Sequence, residues 1–307
     1  MILLWGLIRD RPIAAVRDRL LRIGAPVRFL DQRRVLDMTV RLDTGAGNRV
    51  LVGDEELDLD QVRALYLRPH DSTRLPALRG QPRSSVQRTH ATAVDLTLNA
   101  WADRTPAYVL NRPRAAASNG SKPFQLRAVA AAGFRVPRTL VSTDPDRVAA
   151  FVAEHRDVIV KSVSGVRSRV RRVVAADAAR FAAVATCPTL FQCRVPGVDV
   201  RVHVVGASVF AAEVDSAADD YRYARVQGHP DPKLTGIEVP DEVARRCVAL
   251  CAALDLPVAG IDLRRTPDGE WYCFEVNPSP GFTYYESSTG APIATAIAGL
   301  LAAAALC

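Results

Sequence analysis

The sequence predicts an α/β chain, with a leading α/β unit followed by α+β subdomains. Three observations carry this. Short apolar strand-type runs alternate with helical stretches from Ile2 to Asn111. After Val200 the strand-type runs come in two pairs across tight turns, at Gly206-Ala207 and at Thr266 to Gly269, with a helix between the pairs. The length of 307 residues, with 49% hydrophobic and 24% charged residues, suffices for two or three subdomains and a large core.

In chain order, Ile2-Leu3-Leu4-Trp5 reads as a buried-type strand, and Pro12 to Ile23 has helical spacing closed by Gly24. Val27 to Leu30 is the next strand. Val35 to Leu42 and Arg49 to Val52 form a hairpin around Asp43-Thr44-Gly45-Ala46-Gly47-Asn48. Ala64 to Leu67 is a strand ending at Arg68, residues 71 to 83 a polar loop, Ser84 to Ala102 a helix, and Tyr108 to Asn111 a strand. Ala115 to Ser121 reads as a linker, and Lys122-Pro123 opens a helix closed by Gly133. Arg138 to Val141 and Val158 to Ser162 are strands around a helix from Pro145 to His155. Gly165 to Arg172 is a basic strand or flap. Leu190 to Cys193 is a strand, and Val200 to Val205 pairs with Val209 to Val214 across Gly206-Ala207. Asp219 to Asp231 is a polar loop and Pro240 to Leu254 a helix. Two more strands flank the turn Thr266-Pro267-Asp268-Gly269, and a final helix starts at Ala291.

Composition sets limits. No apolar run is long enough to span a bilayer, and Met1 to Ile8 lacks the basic start of a signal peptide. The six cysteines include no Cys-x-x-Cys pair. Cys247 and Cys251, one helical turn apart, read as structural thiols rather than a metal site, which places the chain in a reducing cytoplasm. The formal charge of +7 is scattered, without the aromatic-basic pattern of a nucleic-acid surface, and suits an anionic ligand or an acidic peptide. No P-loop or Gly-x-Gly-x-x-Gly is present, and none of the five histidines has a nucleophile-like context. Only three of the 40 basic residues are lysines, namely Lys122, Lys161 and Lys233.

The richest motif is Asp262 on one strand with Glu275 and Asn277 on the next. Pairing brings Asp262 near the other two, and Glu275 and Asn277, two apart, share a face. Two carboxylates and a carboxamide oxygen suit Mg²⁺ and a phosphate ligand. Solvated acids on a surface hairpin are the bland alternative, disfavoured because unpaired carboxylates are costly in such apolar strands. Lys161 ends an apolar strand before Ser162-Val163-Ser164-Gly165, as a phosphate ligand does beside a loop of backbone N–H groups. Lys122 stands at a helix N-terminus, where a structural lysine opposes the dipole, so an anionic partner is expected.

The run Phe191-Gln192-Cys193-Arg194-Val195 offers a strand edge to an adenine ring, and Asp199 suits ribose hydroxyls. Arg201 points away from Val200 and Val202, toward an anion or, in the bland reading, toward Asp199. Arg222, after Asp220-Tyr221, fits transition-state charge stabilisation or a solvated loop. For Arg68 and for the basic run Arg167, Arg169, Arg171 and Arg172, substrate contact and plain surface stand level. His203 reads as a packed strand residue.

In this order the motifs resemble the ATP-grasp superfamily over roughly residues 115 to 305, with the preceding unit similar to its N-terminal domain. The resemblance implies an ATP-grasp fold with an N-terminal α/β pre-ATP-grasp domain (1–114), a central lid subdomain (115–190) and a C-terminal subdomain with the metal site (191–307). It implies ATP with Lys122, Lys161 and Ser162 at its phosphates, Gln192, Cys193 and Val195 at adenine and Asp199 at ribose. Mg²⁺ would lie on Asp262, Glu275 and Asn277, with Arg201 and Arg222 catalytic.

The expected activity is ADP-forming ligation through an acyl phosphate. Two branches compete. Ribosomal-protein glutamate ligases usually carry more glycines after the lysine than Lys161-Ser162-Val163-Ser164-Gly165 does. Graspetide (microviridin-type) macrocyclases are more similar in Ala212-Glu213-Val214-Asp215-Ser216, Asp220-Tyr221-Arg222, Tyr284-Tyr285-Glu286 and Tyr66-Leu67-Arg68. Tyr221 departs from that branch, where Trp is frequent, and Cys193 stands where an acid is common. The expected product is a side-chain ester or amide in a ribosomal precursor peptide. The alternatives are addition of an amino acid to a small molecule, carrier or protein tail, and a non-catalytic ATP- or peptide-binding module. Many members form homodimers; no residue here points to one.

Overall fold

The structure, a computed structural model, describes residues 1–163, 170–218 and 221–306. Its first part contains β1 (Ile2–Gly6), α1 (Arg11–Arg22), β2 (Val27–Asp31), β3 (Met38–Arg41), β4 (Arg49–Val52), β5 (Glu55–Asp58), β6 (Ala64–Arg68), α2 (Val86–Arg104) and β7 (Tyr108–Leu110). A parallel sheet has the order β2-β1-β6-β7, and β3 to β5 make a separate antiparallel sheet. Asp10 caps α1 by accepting from the Ile13 N–H at 3.1 Å, and Ile13, Val16 and Leu20 form its buried stripe. Gly24 takes the left-handed conformation (φ 69°) that ends the helix. Alternation along β1 serves two cores. Leu3 and Trp5 pack with α2 and the small sheet, and Ile2 and Leu4 with α1 on the opposite face.

The expected linker from Ala115 to Ser121 is helical instead. α3 (Pro113–Ala116) runs into a 3-10 turn, and α4 (Lys122–Ala131) follows with Ser121 as N-cap and Pro123 in its first turn. Small polar residues there make compact turns rather than slack chain. Next come β8 (Thr139–Ser142), α5 (Pro145–His155), β9 (Val158–Ser162), β10 (Arg171–Arg172) and β11 (Thr189–Cys193), in an antiparallel sheet of order β10-β9-β11-β8. β11 belongs wholly to this sheet, so the expected division after residue 190 falls inside a strand. Gly165, Arg167 and Arg169 of the expected flap lie outside the described residues, while Arg171 and Arg172 pair with β9.

The last part holds β12 (Val198–Val205), β13 (Ser208–Asp215), β14 (Lys233–Ile237), α6 (Asp241–Ala253), β15 (Val258–Arg265), β16 (Trp271–Asn277), α7 (Thr283–Thr289) and α8 (Ile293–Leu306). Its sheet runs β14-β13-β12-β15-β16. β14 and α7 were not visible as elements beforehand. Lys233-Leu234-Thr235-Gly236-Ile237 has weak strand character, and pairing with β13 decides its state. One face of this sheet packs on α4 and α6, where Val200, Val202, Val204, Cys247, Cys251 and Cys273 are buried. Burial pushes the Cys247 and Cys251 thiols up to about 12, so both behave as small apolar groups. α8 packs with α1 against the first sheet through Ile293, Ile297 and Leu301, in a core that also takes in Val205 and Val258 of the last sheet. No described helix is long and apolar enough to cross a membrane.

Candidate active site

A cleft of about 420 Å³ is lined by residues of the central sheet and of the last one. β9 and β11 contribute Ile159, Lys161, Gln192 and Cys193 to its wall. The last sheet contributes Asp199, Asp262, Arg264, Phe274 and Glu275, and, from positions of the opposite register along β13 and β14, Glu213, Asp215, Lys233 and Thr235.

Lys122 and Lys161, 4% and 9% exposed, both reach this cleft. Lys161 Nζ donates to Gln192 Oε1 at 3.0 Å, and Gln192 Nε2 donates to Thr139 Oγ1 at 2.8 Å. The Gln192 side chain is therefore spent on orienting Lys161, and any contact with a flat heterocycle there falls to the backbone. Lys122 occupies the first turn of α4, so its ammonium adds to the positive helix end. Two buried ammonium groups beside one cleft suit a polyanion.

Strand register decides the pairing of the acids. Asp199 lies opposite Arg264, and Arg201 opposite Asp262. Arg264 grips Asp199 in a fork, with Nε and Nη2 each 2.8 Å from a carboxylate oxygen. Arg201 Nη1 donates to Asp262 Oδ1 at 2.5 Å. The bland Asp199–Arg201 pair is thus replaced by two cross-strand pairs. Burial alone would lower the Arg201 pKa, but the adjacent Asp262 carboxylate raises it, so the guanidinium stays charged. Its Nε has no partner among the described residues, which leaves one buried donor for an anion. Gly260 makes room for this group, because a Cβ there would lie 2.0 Å from Arg201 Nη2.

Asp262 also pairs in register with Glu275, and Gly260 with Asn277. A β-bulge next to Asp262 leaves Phe274 without an opposite residue, and both Phe274 and Glu275 line the cleft. Asn277 lies beyond this lining, and its Oδ1 accepts the Ser279 N–H at 2.9 Å. Two carboxylates in register with a carboxamide beside them form a hard oxygen donor set that fits Mg²⁺. Tyr221 donates to Asp262 Oδ1 at 3.3 Å and meets the Tyr285 hydroxyl at 3.1 Å. His203 packs edge-on against Tyr285, and burial followed by the nearby Arg201 charge holds its pKa well below the usual value, so the ring is neutral.

Three side chains from other elements hold the backbone around this donor set. Gln125, 2% exposed, donates to Val276 O at 2.7 Å and accepts the Val276 N–H at 3.2 Å, between Glu275 and Asn277. Asn111 Nδ2 donates to Val258 O and to Pro278 O, each at 2.6 Å. Arg68 pairs with Asp10 at 2.9 Å and donates to Pro280 O at 3.1 Å. Arg68 is thus neither surface nor a group facing the cleft; it ties the first sheet to the loop after β16. Gln125→Met, which removes both bonds to Val276, is expected to weaken Mg²⁺ affinity by about 10- to 100-fold. Competition against Mn²⁺ in an ADP-bound sample, followed by electron paramagnetic resonance, measures this.

Of the residues expected at the site, Lys122, Lys161, Gln192, Cys193, Val195, Asp199, Asp262 and Glu275 line one cleft. Ser162 is exposed at the end of β9, and Ser162, Arg201 and Asn277 sit next to the lining rather than in it. The Arg222 side chain lies outside the described residues, as do Asp220 and Cys307. Sequence reading missed Arg264, Gln125 and Tyr285 as site residues. Arg264 is two after Asp262 and Gln125 three after Lys122, so face periodicity was the available signal.

A protein-family model described as the RimK-like ATP-grasp domain matches residues 117–301. The chain is 30% identical over 247 residues to a probable alpha-L-glutamate ligase of Mannheimia succiniciproducens, covering 76% of this chain and 80% of that one. It is 25% identical over 218 residues to beta-citrylglutamate synthase B of Danio rerio, covering 66% of this chain and 53% of the relative. Among solved structures, the ATP-grasp ligase PsnB complexed with minimal precursor superposes with a TM-score of 0.84 at 28% identity, covering 99% of this chain and 98% of that chain. Macrocyclase MdnC bound with precursor peptide MdnA, from Microcystis aeruginosa, has the same fold, with a TM-score of 0.84 at 22% identity and 98% of each chain covered.

Proposed function

Because this chain belongs to the RimK-like ATP-grasp family, we propose that it is a ligase that activates a carboxylate of a peptide and joins it to a side-chain hydroxyl or amine within that peptide. The observation that carries this is the single cleft with Lys122 and Lys161 on one side and the Asp262–Glu275 pair on the other. ATP with Mg²⁺ supplies the phosphoryl group that turns the carboxylate into an acyl phosphate. Lys122 and Lys161 orient and neutralise the triphosphate, and the backbone from Gln192 to Val195 holds adenine. Asp199, fixed by Arg264, takes ribose hydroxyls. Asp262, Glu275 and Asn277 hold the metal. Arg201 and Arg222 stabilise charge on the transferring group, so positioning and electrostatics supply the rate. Ser162 lies by the phosphates.

A peptide substrate is favoured because PsnB, whose structures include complexes with its minimal precursor and with Mg and ADP, matches the chain over nearly its full length. The working units are 1–114, 115–193 and 194–307, the expected boundary after 190 being moved so that β11 stays whole. Incubation with ATP, Mg²⁺ and a candidate precursor rich in Ser, Thr, Asp and Glu is expected to give a mass loss of one water per bond. The name of the Mannheimia relative supports a second reading, addition of an amino acid. A mass gain of one amino-acid residue would establish that reading and overturn the first.

A further inference from the structure

Arg264 shares one face of the last sheet with the metal end. Asp199 and Arg201 alternate along β12 with the buried Val200 and Val202, and Asp262 and Arg264 flank the buried Leu263 on β15. Register puts Asp199 opposite Arg264 in one row and Arg201 opposite Asp262 in the next. Two residues along a strand separate the rows, about 7 Å. Asp199 and Arg264 both line the cleft, with side chains 21% and 17% exposed.

The guanidinium joins separate parts of the site. Besides the fork on Asp199, its Nη1 donates to Val195 O at 2.8 Å. Its Cζ lies 5.4 Å from the centroid of the Phe274 ring, which the β-bulge beside Asp262 leaves without an opposite residue. Val195 belongs to the short segment that leads from β11 into β12, and that segment is tied on both sides. The Cys193 and Arg194 N–H groups donate to Arg138 O and Asp157 O, each at 2.9 Å. Gly197 passes so close to the end of β15 that a Cβ there would lie 2.2 Å from Arg265 O. Arg264 therefore fixes the Asp199 carboxylate relative to the Val195 backbone. A planar fork holds both at once, whereas a compact ammonium does not.

We propose that Arg264 is the positioning residue through which this cleft distinguishes a ribonucleotide from a 2′-deoxyribonucleotide. The fork engages two of the roughly four lone-pair sites of a carboxylate, so the grip itself does not use up Asp199. It also balances the Asp199 charge beside a polyanionic ligand. Asp199 then meets the 2′-hydroxyl at a set distance from a base held along Gln192 to Val195. This deepens the ATP-cleft reading and rests on it.

The test compares Mg·ADP with Mg·2′-deoxyADP by calorimetric titration. Wild-type protein is expected to prefer Mg·ADP by about 10- to 100-fold, the range of a hydrogen bond to a charged group. R264K keeps the charge and loses the fork, and R264Q loses both, so each should bind the two nucleotides alike. R264K carries the test if R264Q does not fold. D199N/R264Q has no unpaired carboxylate at this row and should bind Mg·2′-deoxyADP more tightly than R264Q does. Weaker binding of both nucleotides with the preference kept, in R264K or R264Q, would mark a merely structural role and overturn the proposal. Equal binding of the two by wild-type protein would also overturn it, while the ATP-cleft reading would stand. Wild-type protein that binds neither nucleotide would sink that reading, and the proposal with it.

Discussion

Glu275→Gln is expected to lower ATP turnover by at least about 10³-fold while the protein keeps its fold. The substitution preserves shape and removes one of the two carboxylates that β15 and β16 bring into register. Glu275 is half-buried at the edge of the cleft, so the neutral amide is tolerated by its surroundings. Phosphate-bound Mg²⁺ needs the charge, and an amide oxygen is a poorer ligand for a hard cation. ADP release in a coupled assay, together with a thermal melt, checks both halves. Turnover near wild type in a folded variant would remove Glu275 from the metal site.

Arg201→Met should act on stability as well as on rate. Arg201 is 6% exposed and holds Asp262 at 2.5 Å, so deleting it removes the guanidinium from a largely buried carboxylate that also accepts from the Tyr221 hydroxyl. Breaking one side of a buried pair costs about 3 to 5 kcal/mol. If Asp262 ligates Mg²⁺, the cation replaces the lost charge, and saturating Mg²⁺ with ADP should restore part of that loss through linkage. Denaturant unfolding in chelator and in Mg·ADP measures the difference. Equal destabilisation in both conditions would separate Asp262 from the metal. Turnover should fall by about 10²- to 10³-fold, because the guanidinium with its one spare donor is removed from the developing charge.

The strands that carry the site were legible because each is strongly apolar and bounded by a turn. Val200 to Val205 with Val209 to Val214, and the pair around Thr266 to Gly269, appear where expected, and the common face of Asp262 and Glu275 follows from that pairing. The acids' partners were not legible. Asp199 has Arg201 two residues away in sequence, yet it pairs with Arg264 on the neighbouring strand, and only the register of β12 against β15 reveals that. Tyr285 was quoted as part of a motif, but its contact with Tyr221 depends on α7, a short helix with no strong periodicity. Gln125 looked like an ordinary helix residue; its role comes from α4 lying against β16. Tertiary placement, rather than local propensity, made these connections.

The last helix of the chain has a consequence for how the molecule is made. Ile2 and Leu4 of the first strand are covered in part by Ile293, Ile297 and Leu301 near the end. Contacts between residues so far apart in sequence form only after a large loop has closed, which costs chain entropy and slows folding. The face of the first sheet that α1 covers only in part is therefore completed by one of the longest-range contacts in the fold, and trimming α8 should loosen β1 as well as the residues next to the cut.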